Sequence, residues 1–246
     1  MLKILNSLKK IDNAIQRFIG ACTTCPYLPE SIKIGTPQKR FEYCLPDLTN
    51  HVCDTLCIHD ISGSMSWTDC QPSRLGASVK AAEAFAYKRY SCSPDDRIGL
   101  ISFNDTAEIV LELTPIKQIE LVKKHLKQLK ATGGTDIAEG LKDAEKIFAG
   151  SYCGEIQRLK RILLLTDGHG GNPVTIAKRL KNQTVLIEVI GIGGDPSAVN
   201  EELLRKVATT DLNGFTHYWF FRDTQSLVSH YEKLATGIVF KGNSND

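Results

Sequence analysis

Val52-Cys53-Asp54-Thr55-Leu56-Cys57-Ile58-His59 runs without a break into Asp60-Ile61-Ser62-Gly63-Ser64-Met65-Ser66, and the reading of this stretch decides the fold. The first half is a short apolar run ending in polar turn residues, which predicts a buried strand. Cys57 lies inside it and reads as a small core residue. The second half is a loop of hydroxyls and one carboxylate. Residues 74–90 then carry apolar side chains at helical spacing. Strand, polar loop and helix in that order open an α/β unit.

Working outward, the alternation continues. Residues 97–103 form an apolar run after the turn signal Ser93-Pro94-Asp95-Asp96, and 107–113 read as a shorter, partly alternating strand at a sheet edge. Helix patterns over 116–129 and 137–148 flank Ala131-Thr132-Gly133-Gly134-Thr135-Asp136, which supplies a breaker and an N-cap. Strands follow at 161–165, 185–192 and 216–221, with helices at 174–181, 200–208 and 224–238. The expected architecture is α/β: a doubly wound, Rossmann-like open sheet, mainly parallel, with one antiparallel edge strand and helices on both faces.

Ahead of this domain, Leu5, Leu8, Ile11, Ile15, Phe18 and Ile19 recur at the spacing of an amphipathic helix that Gly20 ends. Pro26, Pro29, Pro37 and Pro46 punctuate an aperiodic stretch. The expected division is an N-terminal helix plus irregular extension over 1–50, the α/β domain over 51–240, and a polar tail over 241–246.

Charged residues make up 24% of the 246 and the net charge is +2, too weak a basic field to hold a nucleic-acid backbone. Lysines interrupt the apolar residues of the first ten positions, and no later stretch approaches the roughly 18 apolar residues of a membrane span. A cytoplasmic protein with its eight cysteines mostly reduced is the expectation. Cys22-Thr23-Thr24-Cys25 has the spacing of half a zinc knuckle, but the second close pair is absent, because Cys53 and Cys57 stand four apart and Cys57 sits in a strand. Ordinary thiols are the simpler reading.

In an open α/β sheet, ligands sit at the carboxyl ends of the strands. Three polar clusters fall at that edge: Asp60-Ile61-Ser62-Gly63-Ser64, Gly134-Thr135-Asp136 and Thr166-Asp167-Gly168. Their donors are carboxylate and hydroxyl oxygens, the hard ligands of a cation such as Mg²⁺, which takes one or two carboxylates and retains open or water-filled positions. Taken singly, each cluster is also an ordinary helix cap, with Ser64 or Asp136 as the capping residue.

Asp60-x-Ser62-x-Ser64 after the first strand, Thr135 in a Gly-Gly-Thr loop and Thr166-Asp167-Gly168 after a later strand together resemble the metal-ion-dependent adhesion site of von Willebrand factor A domains. The resemblance spans about residues 52–240, with the order of elements included. It implies that Ser62, Ser64 and Thr135 hold Mg²⁺ or Mn²⁺ directly or through water, that Asp60 and Asp167 act mainly through water and supply charge, and that a partner's Glu or Asp completes the shell. It further implies a non-enzymatic interaction module of the intracellular bacterial single-domain type. Such members often act beside AAA+ ATPases or beside kinase and phosphatase systems. Two alternatives stand next to it: a metal-dependent phosphohydrolase using the same loops, and a structural subunit whose loops are only caps.

Other signals carry less. A phosphoryl-transferring aspartate of the haloacid dehalogenase kind needs a second aspartate where Ser62 stands, and the serines lack the surround of a nucleophile elbow. Gly191-Ile192-Gly193-Gly194 lacks the third spaced glycine of a dinucleotide fingerprint and reads as a turn. His169 reads as a solvent-facing loop residue. Lys117, Lys123, Lys124, Lys127 and Lys130 read as a solvated helix face.

Overall fold

A computed structural model of the protein describes residues 52–151 and 158–237. The expected N-terminal helix, the irregular extension with Cys22 and Cys25, and the polar tail lie outside the described residues. Six strands form one sheet: β1 (Cys53–Asp60), β2 (Arg97–Phe103), β3 (Ala107–Pro115), β4 (Leu159–Thr166), β5 (Leu186–Ile192) and β6 (Tyr218–Phe221), in the order β3-β2-β1-β4-β5-β6. All neighbours are parallel except β2 and β3, so β3 is the antiparallel edge. The helices are α1 (Arg74–Cys92), α2 (Ile119–Leu126), α3 (Ile137–Gly150), α4 (Val174–Asn182), α5 (Glu201–Val207) and α6 (Thr224–Ala235).

All eight residues of β1 are buried, as expected for a central parallel strand covered on both faces. Successive side chains point to opposite faces. Leu56 and Ile58 join one core with Ile137, Leu141 and Phe148 of α3 and Ile176 and Leu180 of α4. Cys57, between them, joins the other core with Ala81 and Phe85 of α1, Val122 of α2 and Leu227 and Tyr231 of α6. The register sets Asp60 beside Phe103, His59 beside Leu165 and Thr166 beside Gly191. The carboxyl ends of β1, β2, β4 and β5 therefore come level at one edge.

Two element boundaries differ from the periodicity. The helix expected over 116–129 is shorter, because Pro115 still pairs with Arg97 at the end of β3 and the Ile116 amide donates to the Asp96 carbonyl at 2.8 Å. β3 accordingly runs two residues past its expected end. β5 ends at Ile192 as its apolar run predicts, so of the four residues Gly191-Ile192-Gly193-Gly194 only Gly193 and Gly194 lie beyond the strand.

Buried arginines lie at the end of the sheet opposite the polar loops. Arg89 of α1 pairs with Asp96 and donates to the Ala235 carbonyl at 3.0 Å. Arg161 of β4 pairs with Glu188 of β5 and donates to the Leu234 carbonyl at 3.0 Å. Both target carbonyls belong to the last turn of α6, where the helix's regular i+4 amide donors run out.

His230 of α6 packs against Trp219 and Phe221 of β6, with ring centroids 4.4 and 5.0 Å away. Burial lowers its pKa from 6.5 to about 4; of the charges nearby, Glu188 works against that shift while Lys233 and Arg161 add to it. The unfolded chain takes up this proton near 6.5 and the native one only near 4, so the stabilisation is complete above 6.5 and is lost as the pH falls. Urea unfolding between pH 7 and 4 should show a decline of on the order of 2 kcal/mol from this group. The decline should be shallower by that amount in His230→Phe.

Candidate metal centre

Asp60 ends β1 with no exposed surface. Its Oδ1 accepts the Ser62 amide at 2.8 Å and its Oδ2 accepts the Thr166 hydroxyl at 2.6 Å. The carboxylate thus joins the loop after β1 to the end of β4. Thr166 Oγ1 in turn accepts the Gly168 amide at 2.9 Å, which turns the chain directly after Asp167.

Beyond Ser62 the chain makes a 3-10 turn over Gly63–Ser66. The Ser62 and Ser64 hydroxyls lie 3.2 Å apart, and Ser64 Oγ donates to Asp167 Oδ2. That oxygen also accepts Nη1 of Arg74 at 3.0 Å. Asp167 Oδ1 is buried with no hydrogen-bond partner.

Thr135 reaches the same edge through the backbone. Gly63 N donates to Gly133 O at 2.9 Å and Thr132 N to Ile61 O at 2.6 Å. Asp105 holds the Gly134 amide at 2.7 Å. From the other side, Gly170 lies so close that a Cβ there would stand 1.9 Å from the Thr135 carbonyl oxygen. Asp136, next in sequence, caps α3 by accepting from the Ala138 amide. The loops after β1 and β4 and the one before α3 are therefore interlocked.

Burial pushes the Asp60 carboxyl up to about 6, a rise that the Asp167 charge adds to and that hydrogen bonds from Ser62 and Thr166 oppose. Two carboxylates withdrawn from water, one with an orphaned oxygen, with two hydroxyls alongside, fit a hard divalent cation. Among the described residues no group of three or more His, Cys, Asp and Glu side chains is placed to hold a metal. A cation here would therefore rely on hydroxyl oxygens and water together with Asp60 and Asp167.

Residues 55–169 match the von Willebrand factor type A domain. This region, a little under half of the chain, is similar to von Willebrand factor A domains. Domains of this family are in general metal-dependent protein-interaction modules. The chain is 29% identical over 216 residues to a UPF0353 protein of Mycobacterium avium, covering 78% of this chain and 62% of that protein. It thus spans less than two thirds of that relative's length.

Solved A domains share the fold. A von Willebrand factor type A protein from Catenulispora acidiphila superposes with a TM-score of 0.62 at 20% identity, over 76% of this chain and 42% of that one. Proximal thread matrix protein 1 of the mussel byssus, described with a zinc-occupied MIDAS motif, gives 0.61 at 21% identity, over 76% of this chain and 47% of that one.

Of the five residues singled out from the sequence, Asp60, Ser62, Ser64 and Asp167 form one connected cluster, and Thr135 is held beside it by backbone packing. His169 is exposed, with Nε2 2.5 Å from the Ala198 carbonyl oxygen. Sequence reasoning missed Arg74, which stands there only as the first residue of an expected helix, and did not single out its partner Asp69. It also missed the pair Gly170-Gly171, whose tight approach is visible only in three dimensions.

Gly170 has φ +115° and no room for a side chain, so Gly170→Ala should lower stability by about 2 kcal/mol or more in urea unfolding. Gly150→Ala, where the new carbon meets nothing within 4 Å, should stay within about 0.5 kcal/mol of wild type.

Proposed function

We propose that this domain is a divalent-cation-dependent protein-binding module, in which Asp60, Ser62, Ser64, Thr135 and Asp167 hold Mg²⁺ or Mn²⁺ and a Glu or Asp of a partner completes the shell. The buried, unpartnered Asp167 Oδ1 beside the paired serine hydroxyls carries this reading. A carboxylate oxygen left without water or donor is costly, and a hard cation is the ligand that removes that cost at this edge. When bound, the cation supplies a positive centre for a carboxylate ligand. The chain's own residues orient it and exclude water from its protein side.

The reading is of a non-enzymatic module. His169, the loop imidazole nearest in sequence to Asp167, is engaged at Ala198, and His59 beneath Asp60 is buried, with Nδ1 2.7 Å from the Ser78 hydroxyl. That leaves both poorly placed as general bases. A cytoplasmic setting is part of the proposal and is supported by the free thiols Cys53, Cys57, Cys70 and Cys92. No described helix is long and apolar enough to cross a membrane. The partner class in view is an AAA+ ATPase or a kinase and phosphatase system that offers an acidic side chain.

Thermal unfolding in EDTA, Mg²⁺ and Mn²⁺ tests the site. A cation bound only by the native state stabilises by about 2.7 kcal/mol at a hundred times its Kd, a rise in Tm of roughly 5 to 10 °C. Wild type should show that rise and Asp60→Ala should not. Identical melting of both proteins in every condition at millimolar metal would remove the basis for the reading.

A further inference from the structure

Arg74 is the first residue of α1 and only 2% of it is exposed. A cation at this position needs a reason, because the first turn of a helix carries partial positive charge and favours anions. A buried guanidinium also has to engage its donors with anions or other acceptors. Here it does so with two carboxylates. Nε and Nη2 reach Asp69 Oδ1 and Oδ2 at 2.9 and 2.6 Å, and Nη1 reaches Asp167 Oδ2 at 3.0 Å.

The guanidinium is also clamped in place. The indole of Trp67, 57% exposed, lies over it at 4.7 Å, and the Arg74 amide donates to the Trp67 carbonyl at 2.9 Å. Asp69 is tied across to the loop after β5 by the Gly194 amide at 2.8 Å. A Cβ on Gly193 would stand 3.4 Å from Arg74 Nη2, so the backbone forms a wall on that side. The result is a fixed positive charge in contact with a carboxylate of the candidate metal centre.

We propose that Arg74 is a built-in counter-ion that competes with the cation for Asp167 and so sets how tightly the site holds metal, with Asp69 and Trp67 fixing the guanidinium. This rests on the metal-centre reading above. A cation approaching Asp167 Oδ1 meets a carboxylate whose other oxygen already answers a full positive charge and the Ser64 hydroxyl. Its hold on the chain alone is weakened, and an added carboxylate from outside matters more. Binding becomes conditional on cation and acidic ligand together. Asp69 also offsets part of the guanidinium's charge, so removing its own negative charge leaves more of that positive charge to Asp167.

Mn²⁺ titration of the full chain, followed by the electron paramagnetic resonance signal of free Mn²⁺, reads this directly. Arg74→Met keeps the buried stem and removes the charge, and should bind Mn²⁺ about tenfold or more tighter than wild type. Arg74→Lys keeps the charge and should stay within about threefold of wild type, while Asp69→Asn should bind more weakly. Arg74→Met binding equal to or weaker than wild type overturns the counter-ion role alone. If Arg74→Met fails to fold by circular dichroism, the more exposed Asp69→Asn decides: weaker binding supports the role, and unchanged or tighter binding overturns it. No Mn²⁺ bound by either protein overturns the metal-centre reading, and the proposal with it.

Discussion

The burial of β1 on both faces is the constraint on which the rest of the structure depends. A strand enclosed by helices on each side must be apolar along its length or pair every polar group it carries. Asp54 near its start is paired with Arg97 and Arg158, and His59 near its end with Ser78. Asp60 is the last residue before the chain escapes the sheet. It stays buried, and its two oxygens are satisfied by the loop that follows and by the neighbouring strand. Once that carboxylate is anchored to both, the loops after β1 and β4 cannot move independently.

The same economy governs the third loop. It carries few side-chain bonds of its own, yet Gly63, Ile61 and Gly170 press on it through backbone contacts and the Asp105 carboxylate accepts its Gly134 amide. Positive φ at Gly170 lets its backbone approach that of Thr135 where a Cβ would collide, and at Gly133, also at positive φ, a Cβ would meet the side chains of Asp105 and Asn104. The candidate site is therefore preorganised mainly by main-chain geometry, and its side chains converge because three turns fit each other. That arrangement suits a ligand set of short residues such as Ser, Thr and Asp, whose reach is small and whose placement follows the backbone closely.

Much of this was legible in the sequence, for identifiable reasons. β1, β2 and β5 are mostly apolar runs that carry only a few polar residues such as Asp54, His59, Arg97 and Glu188, and the helix periodicity of α3 and α4 is strong, so the alternation and the sheet's mainly parallel character could be read from pattern. Four of the five site residues sit directly after predicted strands, where the topology places ligands. The start of α2 was not legible, because Pro115 and Ile116 fit a helix start by composition while the Asp96 carbonyl recruits the Ile116 amide. Nor was Arg74, since no periodicity distinguishes an arginine that folds back beneath Trp67 from one that faces solvent at a helix start. Long-range pairing decides both cases, and neither propensity nor spacing encodes it.

The same pairing joins the site to α6. The loop bearing Trp67 and Asp69 continues through Cys70 and Gln71, and Thr224 at the start of α6 donates its hydroxyl to the Gln71 carbonyl while lying 3.7 Å from the Cys70 sulfur. At the helix's other end, Arg89 and Arg161 hold the Leu234 and Ala235 carbonyls. Each arginine is itself neutralised by a buried acid, Asp96 or Glu188, so removing either acid would leave an uncompensated charge in the core, a change that typically costs about 3 to 5 kcal/mol. α6 is thus tied at its first residue to the loop that holds Arg74 and at its last turn to the far end of the sheet. The loop's geometry, and with it the guanidinium against Asp167, is set by a helix that supplies none of the candidate ligands.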